Sequence, residues 1–343
     1  MTSAVPDLTT RSTTSATARL KPVLQAKRPV LVSFTVLVIT VVIGIVSIPS
    51  FWSLLSLRSM LLLGSFLGIA STGQTLCALL GGLDLSIPFV IGAADLGTLW
   101  LLNKGVAQWE TLVLVAIACA VSGAIGGLIS YRLKGQAVVV TLGVGYVVLG
   151  ATQLLISHNS QNGASVFGTV PKWLVSATSI RSGVLGNTPP AALVWLALTL
   201  LVAFGLRRTW LGQGIYALGG NRIAAGRLRV PERRIWILVF MLSALMAATT
   251  GVLLLGFSAG AVADAGDPYL FTTVAAVVIG GTSLLGGYGG IGLTAIGVCI
   301  LTVINMLLIG WGFTAPAQQV IIGLLIVPMV AMYGRAPHPR MRI

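Results

Sequence analysis

Two carboxylates stand inside apolar sequence: Asp84 in LLGGLDLS (79–86), and Asp95 eleven residues later. A carboxylate near hydrocarbon must be paired, capped or facing water. Asp84 therefore has three chemistries open to it: capping a helix start, touching a polar cargo, or relaying a proton. Ser86 and Pro88 suit the first turn of a new helix, where a side-chain oxygen accepts from free backbone N–H groups, so capping is the favoured role. On a continuous helix Asp95 falls on nearly the same face three turns later, and both acids are expected to line one water-filled cavity. No basic partner stands inside a span to complete a relay.

Other chemistries find no residues. Cys77, Cys119 and Cys299 sit in apolar runs without a CxxC pair, and His158 and His338 fall in loops, so neither a metal cluster nor a nucleophile with its base can be assembled. Ser-His-Asp and HExxH arrangements are absent, and there is no GxxxxGK[ST] loop to hydrolyse ATP. Gly287, Gly289 and Gly292 satisfy GxGxxG, but without alternating strands around them they fit close helix approach, as do Gly123 and Gly127. The chain is expected to be no enzyme and to hold no cofactor of its own. Any ATP and Mg must act through a partner.

The elements that carry these residues are membrane spans. A chain of 343 residues with 56% apolar residues, 8% charged residues and a mean hydropathy of +0.99 cannot hide its apolar surface in one soluble core. It reads as an all-α integral membrane protein. Ten apolar windows fit spans, at 29–48, 59–80, 85–103, 109–131, 136–157, 190–206, 235–256, 271–285, 288–310 and 315–333. The net charge of +14 follows topology rather than a nucleic-acid partner. A cytoplasmic N-terminus places the basic tail, Arg132 and Lys134, seven arginines of 207–234, and Arg335, Arg340 and Arg342 inside, against Arg58, Lys104, Lys172 and Arg181 outside. Both termini are then cytoplasmic, in a multi-pass protein of the inner membrane with lipid around it. Residues 1–28 read as a disordered basic tail, 29–334 as the membrane domain and 335–343 as a second tail. The outer loop 158–190, with its apolar PKWLV, is either a docking surface for an external partner or a cover for the outer mouth.

The glycine pairs of LLGGLDLS (79–86) and VIGGTSLL (278–285) interrupt spans in similar surroundings, which points to an internal duplication with equally oriented halves. On this reading Asp84, Ser86, Asp95, Gly280, Gly281 and Ser283 belong to a translocation pathway.

Four segments in order, GGLDLS (81–86), TLGVGYVVLG (141–150), GQGIYALGGNRIAAGRLRV (212–230) and AAVVIGGTSLLGGYGG (275–290), resemble the membrane permeases of ribose-type ABC importers, within the branched-chain amino acid/ribose permease superfamily. The likeness runs from about residue 30 to 335. It implies a ten-span permease paired with a second permease subunit, as homo- or heterodimer, with two cytoplasmic ATP-binding subunits and an extracytoplasmic substrate-binding protein. Cargo would cross by alternating access. The resemblance also implies that 207–234 carries a coupling helix resting on the ATPase, where Gly212, Tyr216, Gly219, Gly220, Asn221, Ala224 and Ala225 form or orient the contact. A bulky β-branched residue at Gly220 is expected to uncouple ATP hydrolysis from transport without preventing membrane insertion. The family's acid after GGN is missing here, and Arg222 and Ile223 stand before Ala224. The cargo implied is a sugar or related neutral polyol. A branched-chain amino acid or nucleoside permease remains open, as does an ion-coupled secondary transporter.

Overall fold

The computed structural model describes residues 16–133, 136–158, 164–181, 188–314 and 316–324, with side chains from Val30. Helices fill the apolar windows: α1 (Ala16–Ser47), α2 (Leu54–Leu80), α3 (Ile87–Asn103), α4 (Gln108–Arg132), α5 (Ala137–Ser157), α6 (Lys172–Ala177), α7 (Pro190–Arg208), α8 (Trp210–Gly220), α9 (Arg222–Arg227), α10 (Glu232–Ser258), α11 (Tyr269–Gly280) and α12 (Ile291–Gly310). Residues 316–324 are helical too. Among the described residues seven helices are long and apolar enough to cross a bilayer, namely α1, α2, α4, α5, α7, α10 and α12, while α3 and α11 are shorter apolar helices.

Several boundaries move. Helix α1 begins at Ala16, inside the stretch expected as a disordered tail, where Ala, Leu, Gln and Lys all favour helix. Residues 1–15 and the second tail, 335–343, lie outside the described residues, as does most of the last window. The window 271–285 yields a helix that stops at Gly280, because Gly281 takes a left-handed conformation.

Helix α10 is the central element and packs on α2, α3 and α4. Small residues bring the backbones into contact, as the GxxxG spacing of α4 predicts. A Cβ at Gly123 would lie 2.4 Å from the Phe240 carbonyl oxygen, and one at Gly127 would lie 2.6 Å from that of Trp236. On α2, a Cβ at Gly73 would lie 2.9 Å from the Ser243 Cα. Helices α2 and α12 run antiparallel, since Gly64 meets Thr302 at one end and the Thr75 hydroxyl donates to Thr294 at 2.8 Å nearer the other.

The outer loop departs from all-α. Its Ser165–Val166 (β1) pairs antiparallel with Ala261–Val262 (β2). Helix α6 then sets Leu174, 1% exposed, against Gly256 of α10. Part of the apolar PKWLV patch is thus spent on the chain's own core, although Trp173 remains half exposed and donates its ring N–H to Gln108 at 2.8 Å.

Candidate functional site

The site begins where α2 breaks. Gly81 has a φ of +86°, and its N–H donates to Ala78 O at 2.9 Å while the Gly82 N–H reaches Cys77 O at 2.9 Å. Helix α11 ends in the same cap: Gly281 has a φ of +96°, with N–H bonds from Gly281 to Val278 O at 2.9 Å and from Thr282 to Val277 O at 3.0 Å. The left-handed residue is the first glycine of one pair and the second of the other. The two breaks therefore match in geometry one residue out of step with the motif. Beyond the caps they diverge. Residues 81–86 lead directly into α3, whereas 281–290 fold into a loop closed by the Ser283 N–H on Tyr288 O at 3.0 Å and the Gly290 N–H on Thr282 Oγ1 at 3.2 Å. Gly280 packs on α12, and the hydroxyl oxygen of the half-buried Ser283 accepts the Leu285 N–H at 3.2 Å.

Asp84 lies in the first break, 2% exposed. Its Oδ1 accepts from the Ser86 N–H at 3.0 Å and the Ser86 hydroxyl at 2.5 Å, and its Oδ2 accepts from the Ser243 hydroxyl of α10 at 2.6 Å. Three donors make the burial of this carboxylate tolerable, and removal of the Ser243 hydroxyl would leave the buried Oδ2 unpaired, at a cost of about 1–3 kcal/mol. The break is held from a further side by Thr141 of α5, whose hydroxyl oxygen accepts the Leu85 N–H at 3.0 Å. Gly145, one turn along α5, lets Phe89 and the Ser86 backbone approach.

The segment 207–234 meets this break through backbone. Thr209 caps α8 by accepting the Gly212 N–H at 3.3 Å, and Gly212 folds the helix back on the Leu206 backbone, 2.3 Å from its oxygen if a Cβ were present. At the other end of α8 a Cβ on Gly219 would lie 2.0 Å from the Leu79 carbonyl oxygen and 2.5 Å from the Gly287 nitrogen. Those two atoms are themselves joined, the Gly287 N–H donating to Leu79 O at 2.9 Å. Tyr216 adds a hydrogen bond from its hydroxyl to Gly289 O at 2.9 Å. Burial raises the pKa of that hydroxyl, with Arg207 opposing, which keeps it a neutral donor. The ends of α2 and α8 and the α11–α12 loop thus share one glycine junction, where three of the four sequence segments meet, while TLGVGYVVLG packs beside it on the head of α3 through Thr141 and Gly145. Gly220 itself is exposed, and a Cβ there meets nothing within 4 Å in this chain. Gly219 is the residue with no room.

Beyond the junction Asn221 caps α9, its Oδ1 accepting the N–H groups of Ile223 at 3.1 Å and Ala224 at 3.0 Å. Ala225 is buried with Ile215, Leu218 and Ile235, and Ala224 is exposed. Arg222, in the place of the missing acid, forms an ion pair with Glu232 and lies 5.6 Å from the centre of the Trp236 ring. Glu232 thereby brings an acid back to this corner from ten residues downstream.

Asp95 lies elsewhere. Helix α3 starts at Ile87, so the two carboxylates do not share the continuous helix expected of them. Asp95, 0% exposed, accepts the Val262 N–H of β2 at 2.9 Å and so pins the β1–β2 ribbon to α3. The residues that sequence reasoning passed over are Ser243, Thr141 and Glu232. Ser243 is the first hydroxyl in the apolar run that follows Arg234, and that isolation was its signal.

Comparison with known proteins bears on the same segments. The family described as branched-chain amino acid transport system / permease component matches residues 56–330. The ribose import permease protein of Escherichia coli (strain K12) is 32% identical over 289 residues, covering 79% of this chain and 84% of that protein. The L-arabinose transport system permease protein of the same strain is 27% identical over 302 residues, 88% of each chain. The fructose import permease protein FruG of Bifidobacterium longum (strain NCC 2705) is 25% identical over 311 residues, 89% of this chain and 90% of that one. No solved structure matched the chain.

Proposed function

The chain belongs to the branched-chain amino acid transport system / permease component family, and on that premise we propose that it carries a monosaccharide or related neutral polyol across the membrane by alternating access, driven by partner ATPases. Family membership and seven apolar helices make it a multi-pass protein of the bacterial inner membrane and a transport subunit that works with ATP-binding and substrate-binding partners. We count ten spans: α1 to α5, α7, α10 to α12, and the segment that begins at 316. Both termini are cytoplasmic on this reading, supported by the arginines of 207–234. We further take the assembly to hold two permease subunits, two ATP-binding subunits and one external binding protein.

The observation that carries the proposal is the glycine junction. A cytoplasmic segment that a partner can push, α8 and α9, rests through Gly219 and Tyr216 on the break in α2 and on the α11–α12 loop. Gly212, Gly220, Asn221, Ala224 and Ala225 complete that segment. Asp84, Ser86, Asp95, Gly280, Gly281 and Ser283 lie along the elements that would move. An uncharged cargo fits the interior, where Asp84 is engaged by Ser86 and Ser243 and Asp95 by the Val262 N–H. The ribose, arabinose and fructose permeases among the relatives point to the sugar class.

Reconstitution tests the proposal. Proteoliposomes holding the chain with the ATP-binding subunit that copurifies with it and its binding protein should take up labelled ribose, L-arabinose or fructose only when ATP is supplied to the ATPase side. Uptake at full rate without ATP would establish an ion-coupled transporter instead.

A further inference from the structure

Helix α10 reaches both parts of the site. Its first residue, Glu232, is clamped to Arg222 of α9, and Trp236 one turn later lies beneath the same guanidinium. About two turns beyond Trp236, Ser243 donates to Asp84 in the α2–α3 break at 2.6 Å. No glycine or proline interrupts 232–243, so the intervening helix is a stiff rod. At its far end the rod is tightly seated, because Gly73 lets the Ser243 backbone touch α2. Asp84 in turn holds the Ser86 N–H and hydroxyl at the head of α3.

From this connection we propose that Ser243 is a positioning residue: its hydrogen bond to Asp84 makes α10 a lever that carries movement of α9 to the start of α3. The lever runs beside the glycine junction and independently of it, through side chains rather than backbone. It rests on the reading of 207–234 as the segment moved by an ATP-binding partner. A shift at α9 displaces Glu232, α10 moves as a unit, and Ser243 drags the carboxylate that holds Ser86 at the head of α3. The outcome is a break that follows the cytoplasmic segment instead of relaxing separately.

Hydrogen exchange of the full-length chain in lipid nanodiscs tests the joint without any partner. Ser243→Ala is expected to speed exchange of the Leu85 and Ser86 amides about tenfold, and Arg222→Ala about fivefold. The double variant is expected to match Ser243→Ala alone, because the lever is already disconnected. Ser243→Thr keeps the hydroxyl and is expected to return exchange to that of the parent. Additive effects of the two alanine variants, or unchanged exchange in Ser243→Ala, would overturn the joint. Transport is read separately in the reconstituted complex, with whichever of ribose, L-arabinose or fructose the parent takes up. There Ser243→Ala is expected to lower sugar moved per ATP about tenfold while hydrolysis continues. Equal yields in parent and variant would overturn the lever's part in transport. A parent complex without ATP-driven uptake would count against the permease reading, and the exchange measurement would still decide the joint.

Discussion

The Gly287 N–H donates to the Leu79 carbonyl at 2.9 Å, and the Gly219 Cα faces both atoms so closely that a Cβ would fall 2.0 Å from that oxygen. One hydrogen bond thus joins the break in α2 to the loop before α12, and a third backbone lies across it. The contact is made by main chain on all three sides, so no rotamer change can relieve a substitution there.

Gly219→Ala should therefore cost about 1–3 kcal/mol by overpacking, whereas Gly220→Ala should stay within about 0.5 kcal/mol of the parent. Thermal unfolding of the purified chain in detergent reads the difference, and ATP-driven uptake should fall in the first variant alone. Equal behaviour of the two neighbours would mean that the junction is looser than its geometry implies.

Tyr216→Phe removes the hydroxyl from Gly289 O and leaves the ring in place. The expected loss is about 1 kcal/mol, seen as a lower unfolding midpoint, together with fewer sugars moved per ATP. If neither quantity changed, the hydrogen bond would have no part in holding α8 to the α11–α12 loop.

The junction was only partly legible in the sequence. Span positions followed from apolar length, and α4, α5 and α7 begin and end within two residues of the windows read from composition. Asp84 drew notice because a carboxylate in apolar sequence needs a reason, but its partner Ser243 lies in another helix, and local pattern holds no record of which helices will meet. The same limit hides the difference between Gly219 and Gly220. Adjacent glycines look alike in sequence, and only the packed structure shows that one faces Leu79 and the other faces outward. The expectation for Asp95 failed for a different reason. It assumed a helix continuous from Asp84, whereas Asp84 bonds forward to Ser86 and delays the start of α3 to Ile87.

Asn221 carries a test confined to α9. Asn221→Ala should cost α9 about 1 kcal/mol and raise exchange of the Ile223 and Ala224 amides about fivefold, while Asn221→Asp keeps an acceptor at the cap and should preserve protection. Because Asn221 is exposed, the unfolding midpoint of the whole chain should barely move in either variant. A large fall in that midpoint with unchanged exchange would show that Asn221 acts somewhere other than the α9 cap.

Asp84 separates capping from charge. In Asp84→Asn the side-chain oxygen can still accept from the Ser86 N–H and hydroxyl, and the new amide can donate to Ser243 if that hydroxyl turns back to its own helix. In Asp84→Ala the buried donors of Ser86 and Ser243 lose their acceptor, for a loss on the order of 3 kcal/mol. The expected ranking is parent, then Asn close behind, then Ala far below, in both unfolding midpoint and ATP-driven uptake. A proton relay demands a different order, since neither Asn nor Ala can carry a proton between the two sides and both would stop transport alike. Uptake by Asp84→Asn within about threefold of the parent, against a loss of about tenfold or more in Asp84→Ala, would assign the carboxylate to holding the break. Uptake abolished in a stably folded Asp84→Asn would assign it to charge.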